Sequence, residues 1–200
     1  MATYNCYGRL LNPIGSTTSA SVKELGHYDL MIKGVHTFDD LNYTNLVISY
    51  GKDRNAPSSS DTGYLYMFNE NMTEYFYRNL YGKFECHHYH FTSDGAGYAA
   101  FLSGVTSLRN KNSRARFILY DKNGNTVGYY YRYLITNSYK TYSVTSRNCF
   151  KAVGIMASAL GDDRFTDYAK KYSYEKYKVK YMLQHHNNLW DLDDVYNEDL

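Results

Sequence analysis

The stretch 143–161, SVTSRNCFKAVGIMASALG, reads as a helix with a cysteine at its mouth. Ser146 is a fit N-cap, because a hydroxyl accepts one of the N–H groups left free in a first turn. Gly161 is a fit stop. Phe150, Val153, Ala157 and Leu160 make one apolar stripe, and Cys149, Ala152, Met156 and Ala159 make another. A helix apolar nearly all round is buried. Cys149 falls in the first turn, where free N–H groups and the helix dipole favour a thiolate. A thiolate is the nucleophile that amide and ester chemistry needs.

Thiol catalysis also needs a base within hydrogen-bond reach and a polar group to orient that base. Gly26-His27 opens the apolar run 27–32 (HYDLMI) far upstream of the helix. His27 is the base candidate, since Gly26 lets the backbone pass closely and the strand can border the helix. Lys33-Gly34 is expected to turn that strand into a second one, 35–38. His36 would lie on it and orient the His27 ring. Ser49, in the strand 45–50, is the alternative for that role. The Cys149 backbone N–H would meet the oxyanion.

The rest of the chain supplies the frame. Residues 1–25 are rich in Gly, Ser and Thr and read as irregular. A loop covers 53–63 (DRNAPSSSDTG), followed by a short strand at 64–68 and a helical turn or two at 71–80. Residues 84–91 (FECHHYHF) read as a strand, and Ser93 or Asp94 caps a helix running to about Leu108. The strands 116–120 and 126–134 form a hairpin around Asp121-Lys-Asn-Gly124. Residues 139–144 approach the Cys149 helix in an extended form. From 162 the character changes. Residues 165–184 read as one charged, Tyr-rich helix, and 191–200 are acidic.

Bulk composition excludes more than it assigns. There are 25 Tyr, so much of the core is expected to be phenolic. A net charge of +2 points to no particular partner. No apolar run is long enough for a membrane span, and no signal peptide opens the chain. The expectation is a soluble protein, cytoplasmic or delivered by a specialised secretion system. Cys6, Cys86 and Cys149 are too few and too scattered for a disulfide framework.

The order of these residues resembles the circularly permuted NlpC-type papain-like superfamily. Gly26-His27 on an apolar strand, then an inserted region, then Asn148-Cys149 opening a helix is the permuted order, with the His strand before the Cys helix. The resemblance spans about 27–161. It implies Cys149 as nucleophile, His27 as base and His36 as the polar third residue. It also implies kinship with cysteine peptidases, amidases of bacterial cell-wall peptides and thiol acyltransferases acting on lipid. Small members are similar to bacterial effectors and toxins, which travel with an immunity or inhibitor protein.

Two rival constellations were weighed. On a strand, Cys86, His88 and His90 project from one face, and Cys with His can ligate zinc. Three such positions span about 13 Å on a straight strand, too far for one tetrahedral ion. Lys170, Lys171, Lys176, Lys178 and Lys180 interleave with tyrosines, a pattern that can bind single-stranded nucleic acid. The near-neutral total and the acidic end argue against that.

The resulting expectation is an α+β fold: a permuted papain-like antiparallel sheet packed on a buried Cys-bearing helix. Residues 1–161 would form the catalytic domain and 162–200 a helical Tyr/Lys-rich extension with an acidic tail. The expected activity is cleavage of an amide bond, with cell-wall peptides as first substrate, through a Cys149–His27 acyl-thioester. The alternatives are a thiol acyltransferase acting on lipid and a non-enzymatic protein-binding domain. Neither a metal nor an organic cofactor is required, and no nucleic-acid partner is expected.

Overall fold

The central strands carry runs of consecutive buried residues, so both faces of the sheet there are covered. A computed structural model describes residues 2–15, 19–56 and 60–196. In chain order the regular elements are β1 (Thr3–Pro13), α1 (Ala20–Leu25), β2 (His27–Phe38), β3 (Leu41–Gly51), β4 (Tyr64–Asn69), α2 (Thr73–Tyr81), β5 (Phe84–Asp94), α3 (Gly95–Leu108), β6 (Ala115–Tyr120), β7 (Thr126–Leu134), α4 (Cys149–Ala159), α5 (Arg164–Lys171), α6 (Tyr174–Tyr177), α7 (Val179–His185) and β8 (Asp191–Tyr196). The strands form one antiparallel sheet in the order β6-β7-β4-β3-β2-β1-β5-β8. The protein is therefore α+β.

Side-chain parity along β2 assigns the two faces. Tyr28, Leu30 and Ile32 join the core under α4, with Phe150, Val153 and Ala157. Met31 joins the opposite core under α2, with Val47, Phe68, Phe76 and Tyr77. His27 and Asp29 share the parity of Met31, so their side chains belong to the α2 side. Phenols lie deep in both cores, and several find acceptors there. Tyr28 donates to the Tyr177 carbonyl at 2.6 Å, and Tyr89 donates to Asp162 at 2.7 Å.

Several elements differ from the sequence reading. β1 was expected to be irregular, yet it is an interior strand paired with β2 and β5. Gly8, Arg9 and Asn12 interrupt its apolar pattern, and Arg9 is a buried ion rather than a surface one. β2 does not fold back at Lys33-Gly34. It runs on through a register shift between Ile32 and Val35. The hairpin turn comes at Asp39 and Asp40, with φ of 50° and 64°. Both residues are of the type that tolerates positive φ in a two-residue turn. Residues 139–144 carry a short 3-10 turn and isolated bridges rather than a strand.

The expected single helix at 165–184 is three pieces, because Tyr172 and Lys178 are extended. The acidic end contributes the edge strand β8, paired with β5. Residues 197–200 lie outside the described residues, as do 57–59 of the 53–63 loop. Phe165, Val179, Met182 and Trp190 are buried in the same cluster as Leu10, Tyr28 and Leu30. The segment expected as an appended extension thus shares the core of the body.

One glycine positions the base candidate. Gly26 ends α1 with φ 56° and ψ −150°. A Cβ there would stand 2.4 Å from Val179 Cγ2 and 2.6 Å from the Leu11 carbonyl oxygen. Only glycine lets the chain turn directly from α1 into β2 with His27 as its first residue.

Candidate active site

Cys149 is the first residue of α4, and its cap is Asn148 rather than Ser146. The Asn148 carboxamide oxygen accepts the Lys151 N–H at 3.0 Å. Its Nδ2 donates to the Val144 carbonyl and to the Tyr177 hydroxyl, each at 2.8 Å. The buried cap therefore ties the helix start to two neighbouring segments. The amides of Cys149 and Phe150 are directed at the Cys149 sulfur, as a free first turn allows. A third amide, that of Tyr28, also reaches the sulfur. The β2–β3 ladder begins only at Leu30↔Ile48, two residues beyond Tyr28.

Electrostatics here run against the sequence reading. Burial pushes the Cys149 thiol up to about 11, and the three amides oppose this without reversing it. The helix start was expected to favour a thiolate. Desolvation of an anion outweighs a few partial charges, so the resting group is a neutral thiol.

His27 is buried, with Nε2 2.7 Å from Ser49 Oγ. Tyr77 Oη lies 2.9 Å from the same Ser49 oxygen and 2.8 Å from Asp29 Oδ2. Arg9 binds Asp29 in a fork, Nε to Oδ1 at 2.6 Å and Nη2 to Oδ2 at 2.8 Å. Its Nη1 donates to Thr73 Oγ1 at 3.0 Å, and Thr73 passes its own proton to the Glu70 carbonyl. Arg9 and Asp29 are 1% and 0% exposed, so this is a fully buried ion pair. A polar chain runs from Arg9 to His27 through the α2 side of the sheet.

Burial lowers His27 from 6.5 to about 4, with Asp29 raising it and Arg9 lowering it further. The imidazole is neutral at rest. The linkage has a definite sign. Below about 6.5 the unfolded chain takes up a proton that the folded chain refuses until about pH 4. Stability from this group is complete above pH 6.5 and lost as pH falls towards 4. The expected loss is roughly 3 kcal/mol. Urea unfolding at pH 7, 5.5 and 4 should show it, and His27→Gln should flatten the slope in that window. Equal slopes in the two proteins would mean that His27 is not held neutral.

A cavity of about 290 Å³ opens beside the imidazole. His27, Ser49 and Tyr77 are polar on its wall, Lys52, Asp53 and Arg54 add charged groups, and residues such as Leu25, Phe76, Leu80 and Tyr81 supply apolar surface. Tyr142 also borders it. Burial, and after it the Cys149 sulfur, pushes up the phenols of Tyr81 and Tyr142, so both cavity residues lie close to the thiol.

The sequence-derived residues divide. The Cys149 sulfur meets the amide of Tyr28, the residue after His27, while the His27 ring lies on the α2 side, held by Ser49. His36 is not brought to them. It lies nine residues further along β2, roughly 30 Å at the rise of a strand. Its Nδ1 is 2.7 Å from Tyr98 Oη and its Nε2 2.7 Å from the Lys33 carbonyl. The strand runs straight where a turn was expected, and that carries His36 away. Cys86 is buried on the α2 side, and burial raises it to about 12. His88 and His90 pack on Tyr7. Among the described residues no three His, Cys, Asp or Glu side chains converge on a metal position. No helix among them is long and apolar enough to cross a membrane.

Arg9, Asp29 and Tyr77 were missed by sequence reasoning. Asp29 carried one usable signal, since it lies two residues from His27 and so on the same face of a strand. Arg9 and Tyr77 carried none, because their partners are 20 or more residues away.

The fold is α+β, with a half-buried thiol at the start of α4 and a buried neutral imidazole at the start of β2. Compared with models of known families, with curated proteins and with solved structures, the chain matches none.

Proposed function

We propose that this protein is a thiol-dependent acyl hydrolase or acyltransferase of the permuted papain-like kind, with Cys149 as nucleophile and His27 as base. One observation carries the reading. The Cys149 sulfur is met by the amide of Tyr28, the peptide unit that joins Tyr28 to His27. The nucleophile candidate, distant in the chain, thus lies against the main chain next to the base candidate.

Because both groups rest neutral, the proton moves during attack. Cys149 gives its proton to the imidazole as sulfur bonds to the substrate carbonyl carbon. The amides of the α4 first turn face the developing oxyanion. The imidazolium returns the proton to the departing amine or alcohol as the C–N or C–O bond breaks. An acyl-thioester remains. Water, deprotonated by the same imidazole, releases the acid, or another nucleophile takes the acyl group.

The cavity favours an apolar acyl group. Its largely apolar lining suits an acyl chain or a hydrophobic side chain, with Lys52, Asp53 and Arg54 available at the same cavity for a polar group. This supports acyl transfer or ester cleavage alongside amide cleavage. The neutrality of both groups favours one other reading, a binding domain in which they are core residues.

Intact-mass measurement after incubation with p-nitrophenyl octanoate separates the two. One octanoyl adduct, mapped to Cys149 and absent in Cys149→Ala, is expected. A protein that gains no adduct and releases no p-nitrophenol, or does either equally in the variant, is not this enzyme.

A further inference from the structure

Hydrogen-bond polarity in the buried chain decides which ring nitrogen of His27 is bare. Asp29 is gripped by a guanidinium that keeps its protons, so its oxygens accept. The Tyr77 phenol, which burial holds protonated, has one hydrogen and faces both Asp29 Oδ2 and Ser49 Oγ. A carboxylate oxygen 2.8 Å from a phenol oxygen needs a hydrogen between them, and only Tyr77 can supply it. The 2.9 Å contact between Tyr77 and Ser49 then needs the Ser49 hydrogen. Ser49 has no second hydrogen for the imidazole 2.7 Å away, so Nε2–H must donate to Ser49. Any other arrangement sets two lone pairs against each other in a dry core, at the cost of an unmade buried hydrogen bond.

We infer that Tyr77, backed by the Asp29–Arg9 pair, is a positioning residue that holds His27 in its Nε2–H form and leaves Nδ1 as the base. Nδ1 is the ring nitrogen nearer the main chain, whose next amide, that of Tyr28, meets the Cys149 sulfur. The same hydrogen-bonded chain holds the imidazolium formed during attack, since each hydroxyl already points towards the carboxylate. The catalytic part of this assignment rests on the thiol-enzyme reading above. The tautomer itself does not.

The test reads the ring directly. Histidine is labelled with 15N, and long-range proton–nitrogen correlation reports which nitrogen carries the proton, with His27→Gln giving the assignment. At pH 7 the wild type is expected to show Nε2–H with bare Nδ1. Tyr77→Phe and Ser49→Ala each remove the directional constraint, and each is expected to give a mixture of tautomers. In both variants kcat/KM for the octanoyl ester should fall roughly 10- to 100-fold, carried by kcat, with KM unchanged. An Nδ1–H ring in the wild type, or tautomers unchanged in both variants, overturns the inference. An Nε2–H ring that shifts in the variants, without any acyl adduct or p-nitrophenol release in the wild type, upholds the tautomer assignment and removes only the enzyme reading.

Discussion

Asp29→Ala is expected to cost roughly 3–5 kcal/mol of unfolding free energy, the penalty for leaving a buried charge without its partner. Arg9 is 1% exposed and has no route to water. Its fork onto Asp29 takes two of its donors, and Thr73 takes a third. Removing the carboxylate strands the guanidinium in the buried α2-side core, near Cys86, and takes from the Tyr77 hydroxyl its carboxylate acceptor. Total stability of a domain is roughly 5–15 kcal/mol, so the variant is near unfolding. The double replacement Arg9→Met with Asp29→Leu removes both charges at once. It should recover most of the loss, because an ion pair exchanged for apolar volume is close to neutral. Urea midpoints of the three proteins measure this. A loss below about 1 kcal/mol in Asp29→Ala would mean that water reaches Arg9.

His27→Ala is expected to slow acylation of Cys149 by roughly 10²- to 10⁴-fold at pH 7. The size follows from the resting thiol. With the group near 11, about one molecule in 10⁴ carries a thiolate at pH 7. Nearly all attack must then use the imidazole. A ring that protonates only near pH 4 stays competent down to about pH 5. The wild-type rate should therefore be flat between pH 5 and 8. In the variant only spontaneous thiolate remains, and its rate should climb about tenfold per pH unit. Stopped-flow release of p-nitrophenol across that range separates the profiles. Parallel profiles would exclude His27 as the base.

These predictions depend on residues of unequal legibility. Cys149 and His27 were readable because local chemistry marks them. Asn148-Cys149 opens a periodic apolar run, and Gly26-His27 opens a strand. Ser49 was readable only as an alternative, since its claim depends on how β3 registers against β2. His36 was placed at the site on the assumption of a turn at Lys33-Gly34. The bulge between Ile32 and Val35 absorbs the glycine without reversing the chain. A Gly-containing dipeptide marks a bulge and a turn alike, and the pairing of β3 along the whole length of β2 decides between them.

Sequence alone determined the α+β class, the hairpin of β6 and β7, the helix α3 starting after Ser93 or Asp94, and the Cys-bearing α4. Each of these is set by periodicity, caps and turn residues within a dozen positions. Tertiary structure alone decided that β1 lies inside the sheet, that the end of the chain closes one sheet edge as β8, and that a buried chain from Arg9 to Ser49 supports His27. It also reversed the expected charge of the thiol. The reason is common to all four. Burial is a property of the assembled sheet, and burial turns Arg9 from a surface cation into a core ion, holds His27 neutral and keeps the Cys149 proton in place.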